Sequence, residues 1–231
     1  MGRSSAVAQI LAGIPAGLVR RASDPVEALP SLKTGLPDLD RALGGGWTRG
    51  RLNILGAGAS ASTGRTTVAC ATVAAVTGGG FQAAWIDGDG SLDTGSLATW
   101  GADLDRLLWV SGPLPADRTM RAASEIIQSG LFELVVLRPS ADGWPGGSGL
   151  QWTRLSREAG LSRTTVLVLT RNAYTNAAGA TEVLFEPACA EWVGPFGQAG
   201  YLDGATICVR QGFDDNHQAL VRARVAYGGI Q

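Results

Sequence analysis

The chain has 231 residues, of which 45% are hydrophobic and 17% charged, with a formal net charge of -1 at pH 7. That length and apolar content suit one well-buried globular domain with short arms and exclude global disorder. The near-neutral balance excludes a protein that wraps duplex DNA on a basic surface of its own, so any DNA contact is expected to be local or made through a partner. The cysteines Cys70, Cys189 and Cys208 are scattered and form no C-x-x-C pair, which fits a reducing cytoplasm rather than a zinc site. His217 stands in the polar turn Asp214-Asp215-Asn216-His217 and reads as a solvated residue. No apolar run reaches the roughly 18 residues of a membrane span. The apolar start is short and broken by Pro15, so it is not a secretory leader. A cytoplasmic protein is expected.

Residues 5–21 carry Val7, Ile10, Leu11 and Leu18 at helix-like spacing and end in Arg20-Arg21. They read as an arm that docks either on a partner or on its own domain, and residues 22–31 as a linker. The chain is thus divided into an N-terminal helical arm and linker, 1–31, and a core, 32–231. Residues 35–43 predict a short helix with its leucines on one face, stopped by Gly44-Gly45-Gly46. Trp47–Gly50 turns the chain into a strand at 51–55. A helix of small residues follows at 64–76, able to pack close to a sheet, and Gly78-Gly79-Gly80 ends it. Phe81–Asp87 is apolar on both sides, as a buried parallel strand is. A helix near 93–100, a strand at 107–111, a helix at 117–129, a strand at 134–137, a helix at 149–160 and a strand at 166–170 continue the alternation. Short strands alternating with helices predict an α/β fold, a mostly parallel central sheet covered on both faces. Ala205–Gln211 and Leu220–Tyr227, flanking the polar turn, predict a C-terminal antiparallel hairpin at the sheet edge. Residues 138–149 and 171–204 read as long irregular loops, the second long enough to suggest function.

Two segments carry chemistry. The stretch from Leu55 to Thr67 has the frame of a phosphate-binding loop, whose working form is G-x-x-x-x-G-K-[ST]. Such a loop holds phosphates because backbone N–H groups at a helix N-terminus converge on them. Here Ala59 stands at the first glycine, Gly64 at the second, Arg65 at the lysine, and Thr66 and Thr67 supply the hydroxyls. Arginine keeps the charge but is longer, planar and forked. The second signature is a strand ending in an acid that holds Mg²⁺. The matching strand 134–137 is followed by Arg138, a cation where a cation should bind. Both motifs are altered in the same sense, toward a nucleotide fold kept as a scaffold. Asp87 and Asp89 close the neighbouring strand. Because a buried charge needs a partner, Arg138 is expected to pair with Asp87 or Asp89 and to occupy the Mg²⁺ position.

The run Thr34-Gly35-Leu36-Pro37-Asp38-Leu39-Asp40-Arg41-Ala42-Leu43-Gly44-Gly45-Gly46-Trp47, with Arg49-Gly50-Arg51-Leu52 after it, resembles the approach to the phosphate loop in the RecA recombinase family. Trp85-Ile86-Asp87-Gly88-Asp89-Gly90-Ser91-Leu92-Asp93 resembles that family's F-I-D-A-E-x-x-L-D strand end, and residues 101–108 its L-G-V-D-x-x-x-L segment. The resemblance covers residues 31–138. It implies a RecA-like core and puts Asp89, one methylene shorter, where the family's water-activating glutamate stands. Asp89 is therefore a vestigial catalytic candidate.

Within that superfamily, the Gly-Gly-Gly-Trp run with an altered phosphate loop is similar to the ImuA family of accessory proteins in SOS-induced bacterial translesion synthesis. That resemblance implies a non-catalytic adaptor with no cofactor of its own. It would bridge an inactive Y-family polymerase homologue (ImuB), an error-prone C-family polymerase and RecA. The arm at 5–34 occupies the place of the family's filament-forming segment. Ile10, Leu11, Trp144, Trp152 and Trp192 are the interface candidates, since aromatic residues anchor hot spots. The loop regions that contact DNA in RecA carry few cations here, which makes DNA contact mainly indirect. Two alternatives stand beside this reading. One is an active RecA-like ATPase that binds ATP, Mg²⁺ and single-stranded DNA. The other takes Gly56-x-Gly58-x-x-Ala61 and Asp87 as a dinucleotide-binding fingerprint.

Overall fold

The computed structural model describes residues 30–57, 63–140, 149–170, 179–194, 201–211 and 218–224. The arm before residue 30, with Ile10 and Leu11, lies outside them, as do Ala59, Trp144 and His217.

A short pair of strands opens the core: β1 (Ser31–Leu32) lies antiparallel to β2 (Trp47–Thr48). Between them α1 (Pro37–Ala42) carries Pro at its first position, where the missing N–H costs nothing. It ends on Gly44, Gly45 and Gly46, all at positive φ. The chain then alternates through β3 (Leu52–Ala57), α2 (Arg65–Gly78), β4 (Ala83–Asp87), α3 (Thr94–Thr99) and β5 (Leu107–Ser111). It continues with α4 (Ala116–Gln128), β6 (Leu134–Arg138), α5 (Gly149–Ser162) and β7 (Thr165–Leu169), and closes with β8 (Thr181–Phe185), β9 (Cys189–Val193), β10 (Tyr201–Gln211) and β11 (Gln218–Arg224).

These strands, apart from β1 and β2, make a nine-stranded sheet in the order β11-β10-β8-β3-β7-β6-β4-β5, with β9 also paired to β10. The contacts from β8 through β5 are parallel and those of β10 are antiparallel. The expected parallel core and C-terminal hairpin are therefore present. Two expectations need correction. The loop assigned to 171–204 contains β8 and β9, and the turn at Trp47 is itself a strand. Both were hidden because β8 begins with the polar pair Thr181-Glu182 and β2 is too short to show a period.

Side chains alternate across the sheet. On one face Leu55, Trp85, Leu134, Val136 and Leu167 pack against Val68, Val73 and Val76 of α2 and Leu39 of α1. On the other, Ile54, Ile86, Val135, Leu137 and Val168 pack against Met120 and Ile127 of α4 and Leu155 of α5. Trp152 belongs to this second core at 3% exposure. It is not an interface residue, as expected above, because it falls on the same helical face as Leu155 and Ala159. Ser124 and Gln128 of α4 and Arg154 of α5 donate hydrogen bonds to the buried carboxylate of Glu158. Burial pushes the Glu158 pKa up, but these bonds and the Arg154 charge outweigh it and hold the pKa below the usual value.

The approach sequence seats α2. Trp47 donates its indole N–H to Thr72 Oγ1 at 3.0 Å, and the Thr72 hydroxyl proton is shared between the carbonyls of Val68 at 2.9 Å and Thr34 at 3.1 Å. The backbone N–H of Thr34 in turn donates to Asp40 Oδ1 at 2.8 Å. Gly35, at φ +81°, lies so close that a Cβ there would stand 2.6 Å from the carbonyl oxygen of Ala71. Only glycine meets both conditions.

This yields a paired prediction. Gly44 also has positive φ, but a Cβ on it meets nothing within 4 Å. Gly44→Ala should therefore cost only the left-handed backbone penalty, about 1 kcal/mol. Gly35→Ala adds a clash with helix backbone and should cost about 3 kcal/mol or more. Urea unfolding of the two variants checks this, and equal losses would contradict it.

Candidate functional site

β4 and β6 are neighbours, and their register sets Asp87 opposite Arg138 at the carboxyl ends of the two strands. Strand alternation turns both toward the face covered by α2. In open α/β sheets that end of the strands is where ligands bind. The N-terminus of α2 arrives at the same place. Gly64 precedes it in the left-handed region, at φ 77°. A Cβ on Gly64 would lie 2.5 Å from Ile207 Cδ1, so β10 closes tightly over the start of the helix.

Arg65, at the lysine position of the loop, turns its Nε to Thr63 Oγ1 at 3.0 Å. Thr66 is exposed and accepts from Arg138 Nη1 at 3.4 Å. Arg138 Nε is 3.4 Å from Asp89 Oδ2, with the two side chains 26% and 20% exposed. The expected ion pair thus forms with Asp89 and not with Asp87. Asp87 is fully buried, and its Oδ2 accepts from the backbone N–H of Leu92 at 2.7 Å. Its Oδ1 has no hydrogen-bond partner among the described residues. Thr67 is not part of this contact set.

One element escaped the sequence reading. Gly88 donates its N–H to the carbonyl of Arg138 at 2.8 Å, and a Cβ there would come within 2.6 Å of Ser140 N. The turn after β4 is thereby pinned to the end of β6, which brings Asp89 to the guanidinium. A glycine between two aspartates was the available signal. Arg65, Thr66, Asp89, Arg138, Pro139 and Leu169 together line a cavity of about 50 Å³. That is room for a water molecule or two.

In a working loop the Ser/Thr hydroxyl after the lysine coordinates Mg²⁺. Here that hydroxyl accepts from a guanidinium, which also pairs with the nearest carboxylate. These described residues do not fit a magnesium–nucleotide complex. Among the described residues no three His, Cys, Asp or Glu side chains converge as a metal site. No helix among them is long and apolar enough to cross a membrane. Trp192, another interface candidate, lies on β9 at 67% exposure, away from this cluster.

The sheet order, the helix rising from the first long strand, and the charged residues at the strand ends define an α/β core with a mostly parallel sheet. The family model described as the RecA N-terminal domain matches residues 5–145. The chain belongs to the RecA family. Among its relatives, Protein RecA of Frankia alni is 37% identical over 139 residues, which are 58% of this chain and 38% of that protein. Protein RecA of Mycobacterium tuberculosis is 39% identical over 138 residues, 57% of this chain and 17% of that protein. For Protein RecA of Picosynechococcus the identity is 33% over 123 residues, 52% of this chain and 34% of that protein. The matched part is well under half the length of these relatives. Family membership favours the phosphate-loop reading of residues 55–67 over the dinucleotide fingerprint.

The neighbouring thiol gives a local test. Burial pushes Cys70 up to about 11, with the Arg138 charge pulling it down only in part and Asp93 raising it further. A raised pKa keeps the thiol neutral, and so unreactive, throughout the neutral range. Cys208 is also buried, whereas Cys189 is exposed. Ellman's reagent at pH 8 should titrate Cys189 alone in the folded chain, and Cys70 and Cys208 only after urea. Fast reaction of Cys70 in the native chain would contradict this packing of α2.

Proposed function

We propose that the chain is a non-catalytic RecA-like adaptor of the ImuA type in SOS-induced translesion DNA synthesis. In this reading it bridges an ImuB-like inactive Y-family polymerase homologue and an error-prone C-family polymerase, with RecA as a further partner and DNA reached mainly through them. One observation carries the reading: Arg138 stands between Thr66 and Asp89, where a phosphate-loop protein keeps its magnesium.

A magnitude decides how much this matters. A dication about 4 Å from a guanidinium is repelled by roughly 8 kcal/mol at an effective dielectric of 20, twice the value for unit charges. Asp89 at a similar distance attracts it by about as much, so the two cancel. Arg138 and Asp89 together therefore give a dication between them no net attraction. What remains is a rigid frame with surfaces to offer. The exposed Trp192 fits a role in contacts with other proteins.

The second reading, an ATPase still active on single-stranded DNA, is favoured by one feature: Asp89 keeps a carboxylate at the position that matches the family's catalytic glutamate.

A bridging assay separates the two. The C-family polymerase is immobilised, and retention of the ImuB-like protein is measured with and without this chain. Adaptor function predicts retention that needs the chain, persists without ATP, and survives Asp89→Asn. Retention that requires ATP and Mg²⁺ and disappears with Asp89→Asn would favour the ATPase.

A further inference from the structure

The end of the sheet opposite Asp87 and Arg138 carries a different chemistry. Arg51 immediately precedes β3, and Arg163 lies just before β7, so both sit at the amino ends of neighbouring strands. Arg157 lies on the exposed side of α5, the helix beside them. A concavity of about 450 Å³ is lined by Gly50, Arg51, Ser156, Arg157, Gly160 and Gly179, together with Thr153. No carboxylate lines it. A Cβ on Gly179 would stand 3.4 Å from Arg51 Nη1 and 3.6 Å from Ser156 Oγ, so guanidinium and hydroxyl converge on its wall. Gly50, at φ +64°, packs beside α5: a Cβ there would be in ordinary contact, 3.5 Å from Gly160 Cα and 3.6 Å from Arg163 Cα.

Charge sets this place apart. The chain as a whole has 20 acidic and 19 basic residues. Many arginines elsewhere are paired, among them Arg49 with Glu133, Arg106 with Asp103 and Arg222 with Glu191. Arg51, Arg157 and Arg163 are in no ion pair among the described residues. A second concavity, about 790 Å³, flanks the other side of α5, and Leu150, Arg154, Arg157, Glu158 and Leu161 help to line it. The one carboxylate there, Glu158, already accepts bonds from Ser124, Gln128 and Arg154.

The ridge between the two concavities is amphipathic in an unusual sense. Leu150, Arg154, Arg157 and Leu161 follow one another at helical spacing and form a single stripe. Leu150 and Leu161 are each 77% exposed, and Leu131 beside the second concavity is 71% exposed. The two leucines of the stripe are about three turns apart, or roughly 16 Å along the helix. Arginines held between exposed leucines suit a ligand with acids between apolar residues. A phosphate backbone would use the arginines but leave the leucines in water.

We propose that the outer face of α5, with Arg51 and Arg163 beside it, is a docking surface for an acidic amphipathic helical segment of a partner protein. Its carboxylates meet Arg51, Arg157 and Arg163, and its apolar residues cover Leu150 and Leu161. The surface lies at the end of the sheet away from the phosphate loop and does not depend on whether nucleotide binds there.

The test uses the full chain and a fluorescein-labelled helical peptide of about five turns. The peptide carries leucines along one stripe with glutamates between them and alanine elsewhere. The controls are the same peptide with lysine for glutamate, and a single-stranded oligonucleotide of equal length. Anisotropy should report binding of the acidic peptide that weakens as salt is raised. Arg51→Glu with Arg157→Glu should weaken it at least about tenfold, and Leu150→Ala with Leu161→Ala several-fold. All four residues are exposed, and unchanged circular dichroism shows that the variants fold. The proposal is overturned if the acidic peptide binds no better than the lysine peptide, or if the arginine variants bind it unchanged. It is also overturned if the oligonucleotide binds more tightly and displaces it.

Discussion

Everything at the candidate site depends on how closely α2 lies against the sheet and the approach segment. The helix is built of Val, Ala, Cys and Thr, and nine of its residues, Val68 to Thr77, are buried. Such side chains let backbone approach backbone. Gly35 abuts the Ala71 carbonyl on one side, and Gly64 abuts Ile207 at the helix start. The chain of bonds from Trp47 through Thr72 to Thr34 fixes the rotation of the helix about its axis. Once α2 is seated in this way, the exposed Thr66 in its first turn comes within 3.4 Å of Arg138 at the end of β6. The approach segment is therefore a packing device, and its Gly35 is explained by the approach to Ala71 without appeal to nucleotide.

The site is a consequence of that seating combined with one charge. In this frame the end of β6 lies between Thr66 and the Asp87–Asp89 turn. An acid there would leave two or three oxygens converging, a setting for a hard dication. Arg138 makes the place self-contained, with a cation supplied by the chain. The pair with Asp89 is partly exposed and modest in energy, of the order of 1 kcal/mol. The same guanidinium pulls on the Cys70 thiol, but less strongly than burial pushes it the other way.

Much of this was legible in the sequence, for reasons that can be stated. Runs such as Ala83–Asp87 and Leu134–Leu137 are apolar on both faces, and glycine clusters mark their ends, so the parallel core could be read directly. Arg138 could be read as an intruder because it follows such a strand where an acid was due. Its partner could be narrowed only to two aspartates, since the choice depends on Gly88 pinning the turn to β6. β8 and β9 were missed because their polar or exposed residues break the pattern. Trp152 was misassigned by residue type, although its helical phase with Leu155 would have placed it in the core. Arg51 lies far in sequence from Arg157 and Arg163, and only the fold brings it to the same end of the sheet.

The central claim is that the guanidinium of Arg138 takes the place of magnesium in a RecA-family core. The most direct measurement is a titration of a fluorescent ATP analogue with Mg²⁺ into the full chain and into Arg138→Ala. The account predicts no binding by the native chain below about 1 mM, a free energy weaker than roughly -4 kcal/mol. It predicts a gain of about tenfold or more in the variant, and only when Mg²⁺ is present. Micromolar, Mg²⁺-dependent binding by the native chain, unchanged or weakened by Arg138→Ala, would contradict it.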